Sequence, residues 1–224
     1  MMSSLFSMFD PSTSFNIQTN WLTMNIVLIF IPLTYWKLNS RISNSIKLII
    51  LSLHKEFISL FKYSILMKGT TLMSISLFMN IMLTNLLSNF PYTFCCSAHL
   101  VFSMTLALPI WMSIISFYWL NLTKLMFSHL VPSGTPNILM PLMVIIELTS
   151  NIIRPLALSV RLTANLIAGH LLMALLGNTL NMTQIQWPAI MFIQTLFLMF
   201  ELMVALIQAY VFSVLMTLYS SEIS

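Results

Sequence analysis

The sequence predicts an all-α integral membrane protein. It has about five membrane-crossing helices, one amphipathic surface helix, and two long, strongly tilted final helices paired as an antiparallel hairpin. Three observations carry this. The chain is 58% hydrophobic and only 6% charged, against about 25% charged residues in soluble domains. Uncharged runs long enough to span a bilayer recur along it. Six basic residues (Lys37, Arg41, Lys47, Lys55, Lys62, Lys68) crowd one segment against a single acid, Glu56, the asymmetry that marks one side of a membrane. Residues 1–224 read as a single membrane domain.

Taken in order, the N-terminal stretch has neither the basic region nor the cleavage site of a signal peptide. The first span is 21–36, flanked by Trp21 and Trp36, aromatics of the kind enriched at membrane interfaces. Residues 43–63 place Ile46, Ile49, Ile50, Leu53, Phe57, Leu60 and Phe61 on one helical arc and Lys47, His54, Lys55 and Lys62 on the other. Such a helix lies along a membrane surface. Runs 71–90 and 100–122 form a helical hairpin. The short loop between them carries no Lys or Arg and faces the opposite side. Cys95 and Cys96, in that loop, lack metal-ligand or redox spacing and read as inert thiols. Residues 123–136, with Lys124, His129 and VPSGTP, are a loop on the basic side.

The last two runs, 137–176 and 188–219, are each too long for an upright span. Forty helical residues extend about 60 Å, twice the thickness of a bilayer core of about 30 Å, so tilt is the expected accommodation. Pro141 and Pro155 are expected to kink the first of them.

The chemistry sits on this hairpin. Glu147, Arg154 and Arg161 follow one another at seven-residue spacing, with Asn165 one turn beyond Arg161. Gln194, Glu201 and Gln208 repeat that spacing on the last helix. Antiparallel pairing about a turn near residue 185 makes facing positions sum to about 370, as for Arg161 with Gln208 and His170 with Glu201. Asn165, Gln194 and Gln208 suit either interhelical hydrogen bonding or a proton path. Arg154 is either a structural charge paired with Glu147 or functional. Arg161 is costly in an apolar helix and points to function, because neutral groups could hold the helices together at less cost. His170 and Glu201, toward the uncharged-loop side, and Glu147, toward the basic side, can carry protons. Arg161 between them breaks any continuous proton wire and favours ionisation of a carboxylate brought beside it. No acid of this chain is placed to move past Arg161, so the moving carboxylate belongs to a partner.

The stretches HLVPSGTP (129–136), IRPLALSVRLTANLIAGH (153–170) and ELMVALIQAYVFSVLMTLYSSE (201–222), with LHKEF (53–57) and NFPYTF (89–94), resemble subunit a of the F-type ATP synthase in its mitochondrial form. The resemblance implies that Arg161 is the essential cation facing c-ring carboxylates, with Asn165 and Gln208 flanking it. It implies that His170 and Glu201 belong to an inlet half-channel from the intermembrane space and that Glu147 lines the outlet to the matrix. It further implies a non-catalytic proton-channel subunit in the mitochondrial inner membrane, N-terminus in the intermembrane space and C-terminus in the matrix. Its partners would be the c-ring, other Fo subunits including the peripheral stalk, and lipid, with no cofactor, metal or nucleic acid. Arg154 does not transfer, since relatives carry neutral residues there. A secondary transporter is disfavoured by the absence of an internal repeat and by only four glycines. A haem-binding respiratory subunit would need paired intramembrane histidines, and only His170 lies deep in a span. A purely structural anchor would not need Arg161.

Overall fold

This computed structural model describes residues 6–12, 19–22, 40–61, 69–90, 93–131, 136, 138–179 and 187–222. Among them are six α-helices: α1 (Arg41–Leu60), α2 (Thr70–Ser88), α3 (Leu100–Asn121), α4 (Thr123–Leu130), α5 (Met140–Asn178) and α6 (Trp187–Glu222). Single 3-10 turns stand at Ser7–Phe9, Thr19–Leu22 and Cys96–Ala98. Four helices, α2, α3, α5 and α6, are long and apolar enough to cross a membrane. The expected first span, 21–36, lies outside the described residues except for Trp21 and Leu22, which close the Thr19–Leu22 turn.

α1 opens with Ser40 as N-cap. Its hydroxyl accepts from Ser43 N–H at 3.1 Å while Ser43 Oγ accepts from Ser40 N–H at 3.0 Å, satisfying two donors left over at the helix start. Leu53 and Phe57 are buried, but Ile49 and Leu60 on the expected apolar arc are exposed. The helix docks on α2 and α6 through a narrow ridge, so its anchor is the bundle as well as any membrane surface. Gly69 precedes α2 at φ 103, a left-handed conformation that a β-carbon would strain.

The helices of 71–90 and 100–122 are there, but they pair differently from the expected hairpin. α2 packs chiefly on α6 and α3 on α5, while direct α2–α3 contact is slight. Small residues explain the choice. α6 presents Ala205, Ala209, Ser213, Thr217 and Ser220, all buried, to a neighbour. That ridge lets backbones approach closely where lipid offers no hydrophobic reward for association. The buried hydroxyls bond back into their own helices, as Ser213 Oγ donates to Tyr210 O at 2.9 Å and Ser88 Oγ to Asn85 O at 2.7 Å, so their burial leaves little polarity unsatisfied.

Two further expectations are corrected. Residues 123–130, expected as loop, form α4, which packs on α3 and α5 and buries Met126 and Leu130. Pro141 does not kink α5, because it stands in the first turn, where a missing N–H breaks no bond. Pro155 lies mid-helix and buried, yet α5 runs through it as one element of 39 residues. The α3 interior likewise absorbs Pro109.

Cys95 and Cys96 are both buried free thiols. Burial pushes the Cys95 thiol up, disfavouring the reactive thiolate. Cys95 should therefore resist iodoacetamide near pH 8, where an ordinary thiol of pKa about 8.5 reacts, and should be modified only after denaturation. Mass analysis of the alkylated protein reads this directly, and rapid native modification would contradict the buried placement.

Candidate functional site

α5 and α6 run antiparallel. Gly169 on α5 lies against Glu201 on α6, a β-carbon built on it standing 2.8 Å from Glu201 Cδ. Toward the start of α5, Arg154 Cζ sits 5.2 Å over the ring of Tyr219 near the end of α6. The first pair sums to 370, the register read from the polar spacing, and the second falls within three of it.

Two cavities flank this pair at different heights. The first, about 140 Å³, is lined by Asn165, Leu162 and Gly169 of α5, by Glu201, Ala205 and Gln208 of α6, by Asn85 of α2 and by Asn89 at its C-cap. It gathers three expected residues, Asn165, Glu201 and Gln208. Glu201 Oε1, Asn85 Oδ1 and Asn89 Nδ2 are buried with no hydrogen-bond partner among the described residues. Cavities with several such groups hold ordered water, which needs about two to four polar partners.

The second cavity, about 130 Å³, lies among Trp111 and Tyr118 of α3, His129 of α4, Glu147, Asn151 and Arg154 of α5, and Tyr219 of α6. Here Glu147 Oε1 pairs with Arg154 Nη2 at 3.7 Å, both side chains being partly exposed. Such a pair stabilises the fold by only about 0–1 kcal/mol, while it holds the Glu147 carboxylate at the cavity wall.

Residues 155–161 of α5 line neither cavity. Within that stretch Pro155, Leu158 and Ser159 are buried, and Ser159 Oγ lies 3.2 Å from Met104 Sδ of α3. From Arg154 to Leu162 the helix rises about 12 Å. Between the two cavities α5 buries one face, at Pro155, Leu158 and Ser159, and leaves Leu156, Val160 and Arg161 exposed on the other. The Arg161 side chain is exposed and makes no ion pair within 4 Å among the described residues. Its neighbours one turn away on the open face are Ala157, Ala164 and Asn165, all exposed, so the cation is displayed toward whatever covers that face.

Not every expected residue joins a cavity. His170 lines neither, although it follows Gly169 directly; its Nε2 is buried without a partner among the described residues. Its ring meets Phe9 edge-on, centroids 6.3 Å apart. No hydrogen bond joins His170 to Glu201 among the described residues. Gln194 is half-buried and lies outside both cavities. Residues that sequence reasoning does not single out are Asn85 and Asn89 at the first cavity and His129, Tyr118 and Tyr219 at the second. The first two carry a signal, since amides four apart share one face of an otherwise apolar helix.

Residues 17–221 match the family described as "ATP synthase A chain". The chain is 51% identical over 227 residues to "ATP synthase subunit a" of Anopheles quadrimaculatus and 50% identical over 225 residues to that of Drosophila melanogaster, with 100% of both chains covered in each comparison. Family match and full-length similarity agree: the chain belongs to the ATP synthase A chain family.

Proposed function

We propose that this chain is the proton-translocating subunit a of a rotary F-type ATP synthase in the mitochondrial inner membrane. Its partners are the c-ring, other Fo subunits including the peripheral stalk, and lipid. The observation that carries this reading is the pair of cavities offset along α5, with a stretch that lines neither and an exposed Arg161 between them. A single pore would let protons leak across. Two half-channels separated by a fixed cation force each proton onto a carrier that moves between them.

In this mechanism the cavity at Glu201, with His170 beyond it, is the inlet from the intermembrane space. Protons reach Glu201 through water held by Asn85 and Asn89 and pass to a c-ring carboxylate near Asn165 and Gln208. The ring turns, and the loaded carboxylate travels the long way round to the outlet, where Glu147 receives the proton for the matrix. As a carboxylate approaches Arg161 the positive charge favours its ionised form, by about 1–3 pKa units for an opposite charge within ~4–6 Å, so it arrives without its proton. The chain itself catalyses no bond chemistry. Strong tilt of α5 and α6 fits their length to the bilayer. The basic segment places 37–68 at the matrix face, with the N-terminus in the intermembrane space and the C-terminus in the matrix.

Glu201→Gln tests the inlet. The amide keeps shape and polarity but cannot shuttle a proton. ATP synthesis driven by an imposed proton gradient in inner-membrane vesicles should fall about a hundredfold, within the range for removing a proton-transfer group, with the complex still assembled. Wild-type synthesis rates would remove Glu201 from the path.

A further inference from the structure

The two histidines at the uncharged-loop end of the bundle share a neighbour that the proton-path residues do not explain. His170 on α5 meets the ring of Phe9 at 6.3 Å and 87°. His99, N-cap of α3, meets the ring of Trp21 at 5.2 Å and that of Phe94 at 5.3 Å. Phe9 and Trp21 both come from the N-terminal stretch, each on its own 3-10 turn. Both imidazoles bury an Nε2 that has no hydrogen-bond partner among the described residues.

The Phe9 turn is a placed feature. Phe9 N–H donates to Phe6 O at 3.1 Å, closing the turn, and Asp10 Oδ1 accepts from Ser12 N–H at 3.0 Å directly after it. Phe9 is half-buried against the core cluster that contains Cys95, Ala98 and Leu166, while Asp10 beside it is exposed. The chain thus turns from solvent into the bundle at one aromatic residue and sets that residue's ring on His170.

We propose that Phe9 is a positioning residue for proton transfer, covering His170 at the intermembrane-space end and fixing its imidazole plane. This rests on the reading of His170 as part of the inlet. An edge-to-face ring pair has a preferred geometry, so Phe9 restricts rotation of the imidazole as well as excluding water from one side. Proton exchange at His170 is then confined to the side of the ring turned away from Phe9. Without the ring, the imidazole can rotate and exchange protons directly with bulk water, away from Glu201.

The test uses the assembled synthase in inner-membrane vesicles and diethyl pyrocarbonate, which acylates neutral imidazole nitrogen. Peptide mass analysis reads the rate at each histidine, with His54 and His129 as internal references. Phe9→Ala should raise the relative rate at His170 about two- to tenfold, the range that corresponds to losing one edge-to-face pair, and should slow proton-driven synthesis severalfold. Phe9→Tyr, which keeps the ring, should restore both. Phe9→Leu, which keeps apolar volume without the ring, serves where the alanine variant does not assemble and should also raise the rate.

Unchanged labelling of His170 in the alanine or leucine variant overturns the proposal. So does an equal rise at all four histidines, which marks general loosening. Raised labelling with an undiminished synthesis rate overturns the positioning role. These outcomes are separable from the inlet reading itself, which stands or falls on Glu201→Gln, because the labelling contrast reports the cover whether or not protons use His170.

Discussion

Arg161→Ala is expected to abolish proton-driven ATP synthesis while leaving the chain folded and assembled. The two halves of that result have separate causes. The Arg161 side chain is exposed and makes no ion pair with the described residues, and surface substitutions away from special contacts usually change stability by about ±0.5 kcal/mol. Its removal therefore leaves the bundle intact. Functionally, the buried face at Pro155, Leu158 and Ser159 lies between the cavities but has no charge with which to discharge a carrier. On the proposed mechanism, a carboxylate arriving without the cation would keep its proton, and the ring would turn without coupling. Arg161→Lys retains charge as a compact point on a flexible stem and loses the planar fork, so it should recover only a part of the activity. The measurement is acid-pulse-driven synthesis in vesicles, with assembly checked on native gels. Coupled synthesis retained in the alanine variant would sink the role given to Arg161.

The second large effect is expected at a residue that carries no charge. Gly169→Leu should assemble yet lose about a hundredfold in synthesis rate, since a misplacement of about 1 Å can cost that much in a positioned reaction. A β-carbon at 169 would stand 2.8 Å from Glu201 Cδ and 3.4 Å from its Cγ. The obstructed group is the far end of a flexible side chain, so it swings aside, and the stability loss stays within the overpacking range of about 1–3 kcal/mol. The swing carries the carboxyl away from Asn165 and Gln208. A smaller intrusion, Gly169→Ala, should be partly rescued by Glu201→Asp, which withdraws the carboxyl by one methylene. If Gly169→Leu ran at the wild-type rate, the position of the Glu201 carboxyl would not matter to proton transfer.

Much of the fold and of the site is legible in the residues alone. Apolar run length locates α2, α3 and α5 to within a few residues: 71–90 corresponds to Thr70–Ser88, 100–122 to Leu100–Asn121, and 137–176, charged at only three positions, to Met140–Asn178. Seven-residue polar spacing yields the α5–α6 register that Gly169 and Glu201 display. The partner choice of α2 and α3 is not legible in this way. Helices apolar on every side have no face that periodicity can identify, and the decision falls to small residues such as Ala205, Ala209 and Ser213. Asn85 and Asn89 share one face in the sequence, but only α6 lying opposite gives that pair its importance. α4 escapes because Lys124, Ser128 and the following VPSGTP read as loop chemistry, while tertiary contact with α3 and α5 holds it helical.

The unbroken run of α5 through Pro155 has a mechanical consequence. On the proposed mechanism, a turning ring would push sideways on the arginine with each passing carboxylate, and the stator would return an equal force. α5 is gripped by α3 just before Arg161, at Ser159, and braced by α6 about two turns after it, at Gly169. It is a beam clamped on both sides of its load point. A hinge at the proline would give that beam backlash, and part of each step of the ring would be spent bending the stator instead of advancing the rotor.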